Sequence, residues 1–385
     1  MRCGDFRLTS SSPVLHIICP AMTHLAGHEA VYTEKLAHTV GENGLSALIH
    51  YPAALGAPSF AAPSRETDFP APVDARGLAG RIGRFLAERQ RRKAFASLYA
   101  AMGPDDAALI HTADFASLLS AMAAKPPQGR LALICRFDHY DEPGAIEALK
   151  RIADQARTSG TALLTDSASL SADFSALTGY PFRTVAPPTE FTREVETKDA
   201  PVFGFFGGGR PQKGFERLPG IIEAIRGLLP EARFLIQYYP HPDDPPGSAQ
   251  DALTRLRAME GVEIVEGFTA PAVHEHMVRR CVAVLLPYDR KVYRRVTSGI
   301  FVEALASGAA ALVPQASWMA NETEQHGLER ALVLDFHDPD AIARAAVEAG
   351  TRHSRAAPNI ERWAAGHSYD ALFRAVCEAL SWPAR

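Results

Sequence analysis

The sequence predicts an α/β protein of two Rossmann-like domains facing across a cleft, and three observations carry that expectation. Short apolar runs alternate with longer amphipathic segments along almost the whole chain, the pattern of parallel strands joined by crossover helices. The alternation pauses at residues 184–200, a mixed-charge stretch containing Pro187 and Pro188, and then restarts, as expected of a linker between domains. The length of 385 residues suits two domains, each large enough to bury its own core.

In the first half, the apolar runs place strands at residues 14–19, 46–51, 107–111, 131–136 and 161–165. The amphipathic segments between them predict helices over 28–42, 80–102 and 143–159, while 52–73, rich in Pro, Ala and Ser, reads as a long irregular loop. In the second half, strands are expected at 202–206, 233–238, 262–265, 282–287, 310–313 and 332–334. Helices are expected over 215–228, 249–259, 272–280, 299–307 and 339–349, and a last helical segment with Trp363, Tyr369 and Phe373 follows Pro358. Domains are thus expected over 1–190 and 191–357, followed by a terminal segment over 358–385. Ligands of such sheets bind outside the carboxyl ends of the strands, so the loops there carry the functional reading.

Composition narrows the class. The 40 Lys and Arg against 44 Asp and Glu give a net charge of −4, without the basic excess of a general nucleic-acid binder. With 47% hydrophobic residues and little net charge, the chain is globular rather than disordered. The cysteines Cys3, Cys19, Cys135, Cys281 and Cys377 are odd in number, scattered and without a CxxC pair, so neither a disulfide framework nor a zinc knuckle is indicated. The opening MRCGDFRLTSSSP lacks the apolar core of a signal peptide, and no apolar run approaches 18 residues. The expectation is a cytoplasmic protein with no metal or other cofactor.

Two loops stand out. The strand at 202–206 runs into Gly207, Gly208, Gly209, Arg210, Pro211, Gln212, Lys213 and Gly214, and then a helix. Glycines admit a ligand close to the backbone, a helix start offers free amides, and Arg210 and Lys213 add two cations, together a site for a pyrophosphate. It is not a Walker A loop, because no Ser or Thr follows the lysine. The strand at 282–287 leads through the basic run Arg290, Lys291, Arg294, Arg295 to Thr297, Ser298 and Gly299, where a helix starts that stops at Gly308. Within 298–313 Glu303 is the one charged residue. A carboxylate among Ile300, Phe301, Val302, Leu305 and Leu312 needs hydrogen-bond partners, and two adjacent ribose hydroxyls would serve.

The segments GGGRPQKGF and SGIFVEALASGAAALVP, in this order and each in its strand context, resemble those of the retaining GT-B glycosyltransferases of the family 4 type. The likeness spans most of residues 200–350. It implies a transferase moving a sugar from a nucleotide sugar, UDP- or GDP-linked, to a saccharide or lipid-linked acceptor in polysaccharide or glycoconjugate biosynthesis, with the donor as substrate and no metal required. By resemblance, Gly208, Gly209, Arg210 and Lys213 bind the donor's diphosphate, Ser298 and Gly299 contact it from the helix start, and Glu303 binds the ribose. HLAGHEAVYTEKLA after the first strand is similar to the acceptor-side loop and helix of these enzymes and points to Gly27 and His28. The segment 358–385 would cross back to the first domain. Two departures stand against the family pattern: Arg295 occupies the position, eight residues before Glu303, of a Glu that faces the donor sugar, and Arg210 and Lys213 lie closer together than is common.

In a retaining transfer the departing diphosphate can take the acceptor's proton, so the protein mainly stabilises charge. The first half still has to position sugar and acceptor. Its candidates are His111, ending one strand, and Arg136, Asp138 and His139, ending the next; in the resembling family a His near the donor sugar often occupies this second strand end. Were the reaction inverting, Asp138 or His139 would be the base. From Arg76 to Lys93 seven cations stand against Glu88, a local charge of +6 that suits an anionic membrane surface or a lipid diphosphate. Two alternatives use the same pocket: a non-catalytic nucleotide-sugar-binding partner protein, for which Arg295 speaks, and a GT-B-like sugar-nucleotide epimerase.

Overall fold

In a computed structural model the described residues are 13–23, 28–56, 60–71, 77–111, 113–136, 143–191, 200–240, 247, 249–352 and 357–382. Contacts divide the chain into two units, Met1–Val185 with Phe373–Arg385, and Ala186–Leu372. The division after Val185 falls inside the stretch that reads as a linker.

The first unit holds seven parallel strands in the order β3-β2-β1-β4-β5-β6-β7. These are β1 (Val14–Ile18), β2 (Ser46–Pro52), β3 (Ser64–Thr67), β4 (Ala107–Ile110), β5 (Leu131–Ile134), β6 (Ala162–Thr165) and β7 (Phe182–Thr184). The connecting helices are α1 (His28–Glu42), α2 (Gly77–Ala101), α3 (Phe115–Ala123), α4 (Pro143–Ser159) and α5 (Ala168–Thr178). Ile18, Ile110, Leu131, Leu133 and Leu163 of the sheet pack with Phe95 and Leu98 of α2, Leu118 of α3, Ile152 of α4 and Phe174 of α5. Strands buried on both faces are uninterrupted apolar runs, and for that reason the central five are readable from sequence. The edge strands are not: β3 is the polar, exposed run Ser-Arg-Glu-Thr inside the expected irregular loop, and β7 has three residues.

The second unit has six parallel strands in the order β10-β9-β8-β11-β12-β13. They are β8 (Val202–Phe205), β9 (Arg233–Tyr238), β10 (Val262–Glu266), β11 (Ala283–Leu285), β12 (Ala310–Pro314) and β13 (Ala331–Leu334). Between and after them run α6 (Leu218–Leu228), α7 (Gln250–Ala258), α8 (Pro271–Arg279), α9 (Gly299–Ser307), α10 (Trp318–His326), α11 (Pro339–Arg352), α12 (Pro358–Ala365) and α13 (Tyr369–Leu380). The period of two sorts β8 between the layers: Phe203 and Phe205 join the core with α6, α7 and α11, whereas Phe206 packs on the opposite side with α8, α9 and α12. The expected terminal segment is two helices, α12 and α13, and the division between units falls within α13. Beyond α13, Trp382 Nε1 donates to the carbonyl of Asp105, 2.7 Å away, in the first unit.

The helices α3, α5 and α10 lie outside the sequence expectation. Each is short, and each starts on a capping side chain: Asp114 accepts from Ser117 N, Ser167 from Leu170 N and Ser317 from Ala320 N. Gly179 and Gly327 close α5 and α10 in the left-handed conformation, at φ 64° and 59°.

Candidate functional site

The strand order of the second sheet reverses between β8 and β11, and the loops leaving these two neighbours are the two that stand out in the sequence. A doubly wound sheet opens its ligand crevice at this reversal. The loops are tied together by Asp289 N, which donates to Gln212 O at 2.9 Å.

The first loop is closely packed against its surroundings. A Cβ on Gly208 would come within 2.8 Å of the Tyr239 ring, and one on Gly209 within 2.5 Å of Tyr238. At Gly207 a Cβ would lie 2.1 Å from Lys213 Nζ, so the glycine there makes room for the ammonium. Gly214 has φ +73°, and its Cβ would meet the Pro287 carbonyl at 2.2 Å, which holds this loop against the end of β11. The expected helix over 215–228 starts late: Pro211–Lys213 and Phe215–Arg217 are single 3-10 turns before α6.

Lys213 lies beside the Tyr288 ring, Nζ 5.6 Å from the centroid. Burial and then the Arg210 guanidinium push its ammonium down to about 8, against an upward pull from Glu303. Two cations held close enough to raise each other's cost, in a glycine-lined loop, call for an anion. Arg210 Nε is buried without a hydrogen-bond partner, a donor that an oxygen would satisfy. Arg210 in turn counters the effect of burial on Tyr239, which raises its phenol.

At the start of α9, Ser298 caps the helix by accepting from Phe301 N at 3.3 Å. The amides of Gly299 and Ile300 are first-turn donors that this cap does not engage. Glu303, on the second turn, accepts from His274 Nε2 of α8 at 3.0 Å, with both side chains 18% exposed. The Phe206 ring meets that imidazole edge-on, 5.5 Å away. Glu303 is thus neither alone nor enclosed: a partner orients it, and it keeps an open side. Arg295 is half-buried, and Arg290, Lys291 and Arg294 are exposed.

A second group gathers at the carboxyl ends of the first unit's strands. Arg136, just past β5, places its guanidinium carbon 4.9 Å from the Tyr32 ring centroid. Its Nη2 donates to Tyr32 Oη at 3.1 Å, and its Nε lies 3.5 Å from Asp166 Oδ2. Glu29, in the first turn of α1, is pushed up to about 7 by burial, and Arg136 opposes the shift. His111 is wholly buried: its Nε2 donates to Thr33 Oγ1 at 2.9 Å and Tyr32 stacks on its ring, 4.5 Å between centroids. His111, expected on the acceptor side, lies buried beneath Tyr32 at the end of its strand. His28 is the first residue of α1; Gly27, Asp138, His139 and Arg76 lie outside the described residues.

The structure therefore brings Gly208, Gly209, Arg210, Lys213, Ser298, Gly299 and Glu303 together in the second unit and leaves Arg136 in the first. Sequence reasoning missed His274, Tyr239 and Tyr288 in one group and Glu29, Tyr32 and Asp166 in the other. The position of Asp166 at a strand end, directly before the cap Ser167, was the one signal available for that group. Among the described residues no group of three or more His, Cys, Asp or Glu is placed to hold a metal ion.

No protein-family model and no curated protein matches the sequence. Solved structures do match. Sucrose-phosphate synthase from Thermosynechococcus elongatus is 15% identical with a TM-score of 0.65, over 95% of this chain and 98% of that one. HepE of Anabaena, solved in complex with UDP, is 14% identical with a TM-score of 0.66, over 96% and 99%. A UDP-forming α,α-trehalose-phosphate synthase from Burkholderia xenovorans is 10% identical with a TM-score of 0.64, again over 96% and 99%. At these identities the likeness concerns architecture. With two parallel sheets, each in alternating α/β order, this chain has the GT-B glycosyltransferase fold.

Proposed function

We propose that the chain is a glycosyltransferase that takes a sugar from a nucleotide-sugar donor and passes it, with retention, to a saccharide or lipid-linked acceptor in polysaccharide or glycoconjugate synthesis. The observation that carries this reading is the group formed by Arg210, Lys213, the start of α9 and Glu303 at the strand-order reversal of the second sheet. The cations and amides suit a diphosphate, and the His274-oriented carboxylate suits the ribose hydroxyls. HepE, a neighbour in fold, has been solved with UDP-glucose, which supports a nucleotide sugar as the donor class.

In the reaction the bond from the sugar's anomeric carbon to the diphosphate oxygen breaks and one to the acceptor oxygen forms. The acceptor's proton leaves with the diphosphate. Arg210, Lys213 and the amides of Gly299 and Ile300 stabilise the charge that grows on that leaving group, so no strong base and no metal is required. Arg136, stacked on Tyr32 and beside Asp166, is assigned to the sugar and acceptor side.

The test is a thermal-shift panel of UDP, GDP, ADP and their sugars, followed by turnover of whichever sugar nucleotide stabilises most. Stabilisation by one diphosphate, lost in Lys213→Ala and in Glu303→Ala, is expected; no shift with any nucleotide refutes the reading. NMR of the product anomer tests retention. Arg295, in place of the family's Glu, favours one second reading, a non-catalytic nucleotide-sugar-binding partner protein. Binding without any turnover would establish that reading instead.

A further inference from the structure

The helix α2 carries two apolar faces, and the fold uses one. Ala94, Phe95, Leu98 and Tyr99 recur at helical spacing and are buried in the core of the first sheet, and Ala87 on the same side is buried as well. On the opposite side of its first half, Ile82, Phe85 and Leu86 are 53%, 64% and 56% exposed. Positions i, i+3 and i+4 share one face, so these three side chains form a single outward apolar patch. The same outward line continues as Arg89 and Lys93, four and eight residues after Phe85, with Arg92 alongside; all three are exposed. At 1.5 Å per residue, Arg89 and Lys93 of this basic collar lie roughly 6 and 12 Å along the axis from Phe85.

An apolar tip followed by cations on one helical line is the pattern of a helix that lies in a bilayer interface, the apolar groups among acyl chains and the cations among headgroups. From this we infer that α2 docks the protein on an anionic phospholipid surface, inserting Ile82, Phe85 and Leu86 while Arg89, Arg92 and Lys93 engage phosphates. Charge complementarity selects this occupant: an apolar protein groove would cover the tip but leave the collar unmatched, whereas an anionic leaflet answers both. No described helix is long and apolar enough to cross a membrane, so α2 would bind at the surface. The inference rests on α2 and not on the donor site, and either can fail without the other.

The experiment is co-sedimentation of the full chain with vesicles of phosphatidylcholine alone and of phosphatidylcholine mixed with phosphatidylglycerol. Binding to the mixed vesicles is expected at low ionic strength, with loss as salt rises. The double variant Arg89→Glu, Lys93→Glu should lower the partition constant at least about tenfold. The emission of the tryptophan introduced by Phe85→Trp should shift to the blue and be quenched by lipids brominated in the acyl chain. Far-UV circular dichroism checks that both exposed-site variants keep their fold. The inference is overturned by absence of binding at low salt, by equal binding to neutral vesicles, by indifference to the double charge reversal, or by emission that the brominated lipid leaves unquenched. It is overturned equally by a concentration-dependent dimer that Phe85→Asp dissolves, which would make a second copy the occupant.

Discussion

Raising the pH should weaken diphosphate binding through one ammonium group. Burial and the neighbouring Arg210 bring Lys213 from 10.5 to about 8, so in the free protein it loses its charge as the pH rises through that value. At about pH 9 roughly one molecule in eleven would still carry the ammonium, and apparent affinity falls by that fraction, about tenfold or 1.4 kcal/mol. Above about pH 7.5 the diphosphate of UDP is close to fully ionised, and up to about pH 9 the uracil ring still mostly holds its imide proton, so within these limits the ligand adds little titration of its own. The bound diphosphate restores the lysine's charge, and binding above about pH 8 should therefore take up a proton. Isothermal titration calorimetry between about pH 7.5 and pH 9, in buffers of different ionisation enthalpy, reads both effects. Lys213→Ala should bind more weakly at every pH and show no slope, and Lys213→Arg, always charged, should also be flat. A wild-type dissociation constant that stays level across the range, or a slope that survives in Lys213→Ala, would refute the reasoning.

Four further outcomes follow from the geometry. Gly214→Ala forces a left-handed residue and a Cβ 2.2 Å from the Pro287 carbonyl, so urea unfolding should show a loss of at least about 2 kcal/mol, and unchanged stability would contradict it. Glu303→Gln should weaken UDP by about tenfold while leaving inorganic pyrophosphate, which has no ribose, nearly unaffected; equal losses would remove the carboxylate from the ribose. Arg136→Ala should lower turnover at least about tenfold with little change in the dissociation constant of UDP, and a parallel loss of both would place it at the nucleotide instead. In the first unit His16 Nδ1 meets His50 Nε2 at 2.9 Å, and His16 Nε2 reaches Asp106 Oδ2 at 3.2 Å. Burial pushes His50 down to about 3 and His16 below 6.5, so the unfolded chain protonates first. Stability is then complete above about pH 6.5 and falls, by an order of a few kcal/mol, as the pH drops towards 3, a decline that His50→Asn should flatten. A wild-type unfolding free energy level between about pH 7 and pH 4 would show the pair to be harmless.

The sequence by itself determined what is local. Buried strands of a parallel sheet are continuous apolar runs, so the central strands stand out, and a glycine loop with two cations needs no distant partner to be recognised. The cap at Ser298 and the stop at Gly308 are likewise written within a few residues, and the structure keeps both, at φ 96° for the glycine. Length does not set the unexpected α3 and α10 apart from α7, α8 and α9, since all five have 9 residues, and the caps of α3 and α10 were readable. Tertiary structure alone decided the pairings. His274 and Glu303 lie 29 residues apart, and Arg136 meets Tyr32 across 104, distances in sequence over which no pattern reports contact. It also decided which apolar residues stay outside: Ile82, Phe85 and Leu86 are as hydrophobic as Phe95 and Leu98 on the same helix. Packing against one sheet can cover one face of a helix, and the face left over is known once that sheet is in place.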